Sequence, residues 1–209
     1  MERGPAGLDA PAVQRTRLCF DLVVVGGSVG GWDALSRISS ELPADFPVPI
    51  AVVLHRSERL PGILAEILGR LTALRVRNAA AGDAPQAGTI YVAPPDRHLI
   101  IAPDGTFALR DGRLVHFTHS AADPLFLSAA SVHRSRAIAV VLSGGETDGA
   151  EGARAIGAAG GVVLAQDQAT SKDFSMPSAT IATGHVNAVL PAGAIAAVLV
   201  NLVWTGALR

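Results

Sequence analysis

The chain has 209 residues, of which 49% are hydrophobic and 17% charged, a composition typical of a single globular domain with a large buried core. Its formal net charge of −1 gives no electrostatic reason to expect a nucleic acid or an anionic membrane as partner. The single cysteine, Cys19, excludes an internal disulfide framework, and we expect it to be a small buried residue where the first strand begins.

Residues 1–18 are rich in proline, glycine, alanine and arginine, which predicts a flexible lead before a folded domain at residues 19–209. The lead has no apolar stretch followed by a small-residue cleavage site. No segment of the sequence approaches the roughly 18 apolar residues that a membrane-spanning helix needs. We therefore expect a cytoplasmic protein without membrane insertion.

From residue 20 the chain alternates short β-branched runs with helix-like stretches. Strands are predicted at residues 20–25, 50–54, 74–78, 89–93, 138–143, 162–165 and 186–190, and helices at residues 29–40, 60–71, 123–135, 149–159, 177–183 and 192–203. A hairpin is predicted from residues 99–102 and 106–109 around a Pro-Asp-Gly turn, and a polar loop at residues 110–122.

Several of these strands are apolar throughout, such as the run IAVVL that occurs at residues 50–54 and again at residues 138–142. Continuous apolar strands separated by helices are typical of a parallel sheet that is covered on both faces. The sequence therefore predicts an α/β fold: a doubly wound, mostly parallel sheet with helices on both faces and an antiparallel hairpin at one edge.

Three polar side chains follow three of the predicted apolar strands. Ser28 comes after the first strand, His55 after the second, and Asp148 shortly after the strand at residues 138–143. Because doubly wound sheets bind ligands beyond the carboxyl ends of their strands, we expect the three to lie at one edge. A hydroxyl, an imidazole and a carboxylate are the side chains that a nucleophilic hydrolase requires.

Each of the three fits a role in such a site. Ser28 lies in a G-x-S-x-G pattern, which suits a tight strand-to-helix turn that exposes the hydroxyl next to free helix amides. His55 would accept the proton of Ser28 as a neutral imidazole. Asp148 would orient His55, although Thr147-Asp148-Gly149 is also typical of a helix N-cap.

Six short motifs, in order between residues 21 and 203, resemble those of the catalytic domain of the bacterial chemotaxis protein-glutamate methylesterases (CheB). They are Val25-Gly26-Gly27-Ser28-Val29-Gly30-Gly31, Leu54-His55-Arg56, Tyr91-Val92-Ala93-Pro94-Pro95-Asp96-Arg97-His98, the run at residues 142–149, the run at residues 165–170, and Met176-Pro177-Ser178-Ala179.

The resemblance implies hydrolysis of γ-glutamyl methyl esters on the cytoplasmic helices of chemoreceptors, with deamidation of receptor glutamines as a second reaction. By motif position Ser28 would be the nucleophile, His55 the general base and Asp148 the orienting acid. The amides of Val29 and Gly145 are the implied oxyanion donors, and Met176 is the implied wall of the substrate cleft. No cofactor or metal is implied, and the implied partner is a methylated chemoreceptor helical bundle or a related methylated protein.

The sequence departs from the family pattern at three places. Glu146 stands where the family usually has a second glycine, and the arginine and serine of an R-P-S-x-D motif are missing before Asp123. These departures bear on substrate recognition more than on the three site residues. The receiver domain that usually precedes this catalytic domain is also missing, so we expect a stand-alone form that phosphorylation in cis does not activate.

Three other interpretations stay open at this point. The fold could persist as a binding or regulatory module with weakened catalysis. The pattern Gly26-x-Ser28-x-x-Gly31, with Arg56 near a 2′-phosphate, could instead bind NADP. His116 and His119 with Asp123 have the ligand types of a metal site, although we expect the two histidines to be solvated in a polar loop.

Overall fold

The computed structural model describes residues 19–55, 63–111 and 120–208 of the chain. The lead predicted at residues 1–18 and most of the loop predicted at residues 110–122 lie outside these ranges, as do Arg56, His116 and His119. Within the described ranges the strands are β1 Leu22–Gly27, β2 Ile50–Leu54, β3 Arg75–Asn78, β4 Thr89–Val92, β5 His98–Ile101, β6 Phe107–Arg110, β7 Ala137–Val141, β8 Val162–Gln166 and β9 Ala188–Leu190.

Seven of these strands form one parallel sheet in the order β3-β4-β2-β1-β7-β8-β9. The helices that connect them are α1 Gly31–Glu41, α2 Ile63–Gly69, α3 Ala122–His133, α4 Ala150–Ala158, α5 Ser175–Ala182 and α6 Ala192–Thr205. The predicted doubly wound α/β fold is therefore confirmed, with most element ends within two residues of those expected from the sequence.

Both faces of the central strands are buried, because successive side chains of a strand point to opposite faces. In β1, Val23 and Val25 belong to a core that includes α1 and α6, whereas Leu22 and Val24 belong to a core that includes α3 and α4. A strand buried on both faces must be apolar at every position, which is why its sequence shows no alternation.

The hairpin of β5 and β6 is present, but it forms a separate two-stranded antiparallel sheet and does not extend the edge of the main one. It packs against α3, where the Ile101 amide donates to Ser128 Oγ at 2.9 Å.

The expectation of a buried Cys19 was wrong, because this residue, the first that the structure describes, is exposed next to Gly206. Within the described ranges, none of the helices combines the length and the apolar character that crossing a membrane requires.

The strand order reverses direction between β1 and β7. From β1 the chain places β2, β3 and β4 on one side, with β4 between β2 and β3, and it then returns to place β7 on the other side of β1. At such a switch point the loops leaving two neighbouring strands diverge and open a crevice at their carboxyl ends. Ser28 and Asp148 follow these two strands, so the topology brings them to the same crevice.

Helix α3 lies unusually close to β1 at Gly26. A Cβ placed on Gly26 would lie 2.7 Å from Ala122 Cβ and 3.2 Å from Phe126 Cζ, closer than packed carbon atoms allow. The absent side chain therefore lets the first turn of α3 rest directly on the sheet.

Gly26→Ala should lower the free energy of unfolding by about 1–3 kcal/mol, because α3 has to move to admit the methyl group. Urea unfolding monitored by circular dichroism measures this change. The matched control is Gly69→Ala, where a new Cβ would approach Val76 no closer than 3.7 Å and the free energy of unfolding should stay the same or rise by up to about 1 kcal/mol. Equal effects of the two substitutions would contradict the close packing of α3 on β1.

Candidate active site

Ser28 lies at a tight turn between β1 and α1. Its N–H donates to the carbonyl of Ser143 at 2.9 Å, and its own carbonyl accepts the N–H of Gly31 at the same distance. The N-cap residue Gly30 has φ 80°, and a Cβ there would lie 2.6 Å from Lys172 Cβ. Both the left-handed backbone and the lack of space require glycine at this position.

His55 follows β2 in the position that Ser28 has after β1. The two parallel strands pair in register, with Gly27 opposite Leu54, and the His55 amide donates to the Gly27 carbonyl at 3.0 Å. Because neighbouring strands are about 4.8 Å apart, the backbones of Ser28 and His55 lie side by side. The side chain of His55 is 15% exposed, so it faces the crevice while most of the ring is packed.

The imidazole of His55 contacts the carboxylate of Asp148, with 2.6 Å between Nε2 and Oδ2. Asp148 is fully buried. Its Oδ2 also accepts the amide of Ala122 at 2.6 Å, and its Oδ1 accepts the amide of Asp123 at 3.0 Å. The carboxylate therefore bridges the end of β2 and the first turn of α3.

Two opposing effects act on the pKa of Asp148. Burial raises it, but the hydrogen bonds from His55, Ala122 and Asp123 lower it more, so that the pKa lies below its ordinary range. Asp148 is then an anion at neutral pH and only accepts hydrogen bonds. It follows that Nε2 of His55 carries the proton, which leaves Nδ1 as the ring nitrogen that can accept one.

The structure thus brings His55 and Asp148 together as the sequence predicted, with Ser28 on the adjacent strand end. Among the described residues, no hydrogen bond joins the Ser28 hydroxyl to the imidazole. Such contacts are often open in free enzymes and close on the bound substrate. The catalytic role of the three residues stays a prediction.

Asp148 does not cap the helix that follows it. The N-cap of α4 is Gly149, with φ 86° and no side-chain hydrogen bond, whereas the Asp148 carboxylate binds the first amides of α3. The alternative interpretation of Thr147-Asp148-Gly149 as a local N-cap is therefore wrong. The carboxylate caps a different helix, one that begins 26 residues earlier in the chain.

Ser143, which we did not predict, fixes the turn that holds Ser28. Its hydroxyl donates to the Val29 carbonyl at 2.7 Å and accepts the amides of Lys172 and Asp173, each at 3.0 Å. Its carbonyl accepts the Ser28 amide. The sequence does contain a signal for this role, a serine directly after the apolar run at residues 138–142. We interpreted the segment instead by the glycines that follow Ser143.

Gly144 lies against Ser28, although the sequence pointed to its neighbour Gly145. A Cβ on Gly144 would lie 2.8 Å from Ser28 Cβ and would touch the sulfur of Met176. The amide of Met176 donates to the Gly144 carbonyl at 2.9 Å, and Met176 is fully buried. Met176 thus packs against Gly144 in the protein interior and holds it next to Ser28. Its contact with a substrate stays a prediction.

The amides of Val29 and Gly145 are the two predicted oxyanion donors. Within the described parts of the chain, neither N–H donates a hydrogen bond, which leaves both available to an external acceptor. The Gly144 amide is not available, because it donates to the Asp173 carbonyl at 2.9 Å. The pair fits the predicted role, which stays a prediction.

Glu146 has φ 65°, a left-handed conformation that favours glycine. It lies in the loop between β7 and α4, two residues before Asp148, and it is exposed, so its carboxylate adds a negative charge to this loop. The backbone explains why a glycine suits this position and why glutamate is strained there.

The remaining candidate residues contribute less. His98 is buried, and its Nδ1 accepts the amide of Ala121, so it supports the segment before α3. Of the proposed metal site, only Asp123 lies within the described residues. Those residues contain no group of three or more histidine, cysteine or acidic side chains that is placed to hold a metal ion.

The family model described as CheB methylesterase matches residues 23–199 of this chain. The chain is 42% identical over 183 residues to protein-glutamate methylesterase/protein-glutamine glutaminase 2 of Anaeromyxobacter dehalogenans, an alignment that covers 88% of this chain and 53% of the relative. It is 37% identical over 201 residues to protein-glutamate methylesterase/protein-glutamine glutaminase of Symbiobacterium thermophilum, which covers 96% and 56% of the two chains. The chain thus spans about half the length of each of these relatives.

The crystal structure of the Thermotoga maritima CheB methylesterase catalytic domain is similar to the described fold. The two share 37% sequence identity with a TM-score of 0.83, over 88% of this chain and 99% of the other. The resemblance inferred from the six motifs is therefore confirmed.

Asp148→Asn should lower the free energy of unfolding at pH 7 by about 1–3 kcal/mol, because an amide cannot accept all the hydrogen bonds that converge on the buried carboxylate. The folded pKa of Asp148 is depressed, so the stability it contributes is present above about pH 4 and is lost as the pH falls through the folded pKa. The difference in unfolding free energy between the wild type and Asp148→Asn should therefore become smaller below about pH 4.

Urea unfolding between pH 7 and pH 3 measures this dependence. Ser28→Ala is the matched control, because it leaves the carboxylate and its donors in place and should keep the pH dependence of the wild type. If the unfolding free energy of Asp148→Asn stays below that of the wild type by the same amount from pH 7 to pH 3, the depressed pKa of Asp148 is contradicted.

Proposed function

We propose, from the premise that the chain belongs to the CheB methylesterase family, that it is a protein-glutamate methylesterase that uses Ser28, His55 and Asp148. The observation that carries this proposal is the hydrogen bond between His55 and the buried Asp148, beside the strand end that presents Ser28. A neutral imidazole held by an anionic carboxylate is the group that activates a serine for attack on an ester.

The reaction begins when Nδ1 of His55 accepts the proton of Ser28 Oγ while that oxygen bonds to the ester carbonyl carbon. The carbonyl oxygen becomes an anion, and in this proposal the amides of Val29 and Gly145 stabilise it. His55 then gives its proton to the leaving methoxy group, which departs as methanol. Water attacks the resulting glutamyl-serine ester by the same steps in reverse, which releases the glutamate side chain and restores Ser28.

Asp148 stabilises the positive charge that His55 acquires during each proton transfer. Its carboxylate is desolvated and rigidly held by α3, so it does not have to reorient as the charge develops. Because its pKa is depressed, it stays ionised and does not itself take the proton. The interaction therefore acts mainly in the transition state and should affect kcat more than KM.

In this proposal the same site also deamidates glutamine, a reaction that the names of the two relatives give for those proteins. Ammonia then replaces methanol as the leaving group, and His55 must protonate the amide nitrogen before it departs. Because an amine is a poorer leaving group than an alcohol, we expect deamidation to be slower than ester hydrolysis.

The proposed substrate is a methylated glutamate on the cytoplasmic helical bundle of a chemoreceptor, or on a related methylated protein. Val29, which follows Ser28, is 52% exposed, so the surface next to the proposed nucleophile is accessible to a side chain that projects from a helix. A cytoplasmic location follows from this proposed substrate.

Ser28→Ala should reduce methanol release from a methylated chemoreceptor fragment by at least about a thousandfold, because the variant cannot form the acyl-enzyme. Gas chromatography of methanol released from the purified fragment measures the rate. The matched control is Ser40→Ala on the exposed side of α1, where the hydroxyl donates to the Arg37 carbonyl, and it should keep the wild-type rate. Hydrolysis that survives Ser28→Ala at the full rate would end the assignment of the nucleophile.

Glu146→Gly should raise the free energy of unfolding by up to about 1 kcal/mol, since it relieves the left-handed backbone. It should also raise kcat/KM up to about fivefold, because a negative charge in this loop opposes the oxyanion that develops when Ser28 attacks the ester. Glu146→Gln separates the two effects, as it should raise kcat/KM without raising stability. Unchanged kcat/KM in both variants would show that the charge at position 146 is a tolerated variation.

A further inference from the structure

We propose that Asp123 is a positioning residue that holds Asp148 against His55 by joining the first turns of α3 and α4. This inference rests on the proposed function, because it concerns the same site. The residue lies outside the Ser-His-Asp set, and its carboxylate accepts a hydrogen bond from α4.

The first turns of α3 and α4 cap each other through two buried carboxylates. Asp148, which precedes α4, accepts the amides of Ala122 and Asp123 in α3. In return, Asp123 Oδ1 accepts the amide of Gly152 in α4 at 2.8 Å. Each helix thus supplies a carboxylate to the amides of the other, which a helix N-terminus otherwise leaves without intrahelical partners.

These reciprocal hydrogen bonds require close contact between the first turns of α3 and α4. A Cβ on Gly152 would lie 3.2 Å from the Asp123 carbonyl and would clash with Phe126 Cβ. Asp123 is 4% exposed, so solvent does not replace its hydrogen bond to Gly152 when the helices separate slightly. The geometry therefore couples the position of α4 to that of the α3 amides.

The consequence for catalysis follows from the Asp148 carboxylate. Its Oδ2 is shared between the Ala122 amide and Nε2 of His55, both at 2.6 Å. If α3 moves away, the carboxylate follows its amide donors or loses them, and the contact with His55 lengthens. The side chain of Asp123 prevents this movement without touching the substrate.

Asp123→Ala tests the proposal, because it removes the acceptor and leaves the backbone amide. In hydrolysis of the methylated chemoreceptor fragment at a temperature where every variant is folded, kcat should fall at least about tenfold while KM changes less than twofold. Asp123→Asn keeps an acceptor oxygen for Gly152 and should restore kcat to within about threefold of the wild type. A kcat for Asp123→Ala within twofold of the wild type would overturn the proposal. A kcat for Asp123→Asn as low as that of Asp123→Ala would overturn it as well.

Ser128→Ala is the control for general loosening of α3. The Ser128 hydroxyl accepts the amide of Ile101 and donates to the Pro124 carbonyl, so its loss weakens the attachment of α3 to the hairpin away from Asp148. This variant should unfold at a lower temperature and keep the wild-type kcat. A loss of kcat equal to that of Asp123→Ala would show that any loosening of α3 suffices, against a specific role of Asp123.

Proton NMR gives a readout that does not depend on turnover. The short hydrogen bond between His55 and Asp148 should give a proton signal downfield of the amide region, which Asp123→Ala should lose and Asp123→Asn should keep. Retention of an unchanged signal in Asp123→Ala would overturn the proposal. Absence of Ser28-dependent hydrolysis in the wild type would instead refute the proposed function and leave this spectroscopic test of positioning intact.

If Asp123→Ala is too unstable to isolate, Asp123→Glu decides the question. It retains the charge but displaces the carboxylate by one methylene in a packed site, so kcat should fall at least about fivefold. A kcat within twofold of the wild type would overturn the proposal, since the position of the acceptor would then be immaterial.

Discussion

The buried carboxylate of Asp148 is the interaction on which the rest of the site depends. It is fully enclosed and yet ionised, because donors from two other parts of the described chain converge on it: the imidazole of His55 after β2, and the amides of Ala122 and Asp123 in α3. A buried anion is costly unless its hydrogen-bonding capacity is filled. The site is therefore complete only when β2, α3 and the loop after β7 are all in their native positions.

The sheet supplies these positions through topology and small residues. The reversal of strand order between β1 and β7 opens the crevice, and the parallel register of β1 and β2 places Ser28 beside His55. Gly26 then allows α3 to lie on the sheet closely enough to bring its first amides to Asp148. Glycines that look interchangeable in the sequence thus serve separate purposes, a close approach at Gly26 and a left-handed turn at Gly30.

The sequence predicted the architecture well because its strongest signals were local. Strands β1, β2 and β7 contain continuous apolar runs, and the polar residues that follow these strands identified Ser28, His55 and Asp148. It did not reveal the contacts that Asp123 and Ser143 make, because their partners in the fold come from distant segments. For the same reason Asp148 looked like a cap for the helix beside it, and the hairpin looked like an edge of the main sheet. Local pattern indicates which element a residue begins or ends, but not which other element lies against it.

The most direct test of this account is mass spectrometry of the chain after reaction with a fluorophosphonate, which phosphonylates an activated serine and releases fluoride. The account predicts one adduct, at Ser28, formed in the wild type and strongly slowed in His55→Ala and Asp148→Asn. An adduct at another residue, or labelling of Ser28 at the same rate without the imidazole, would contradict it.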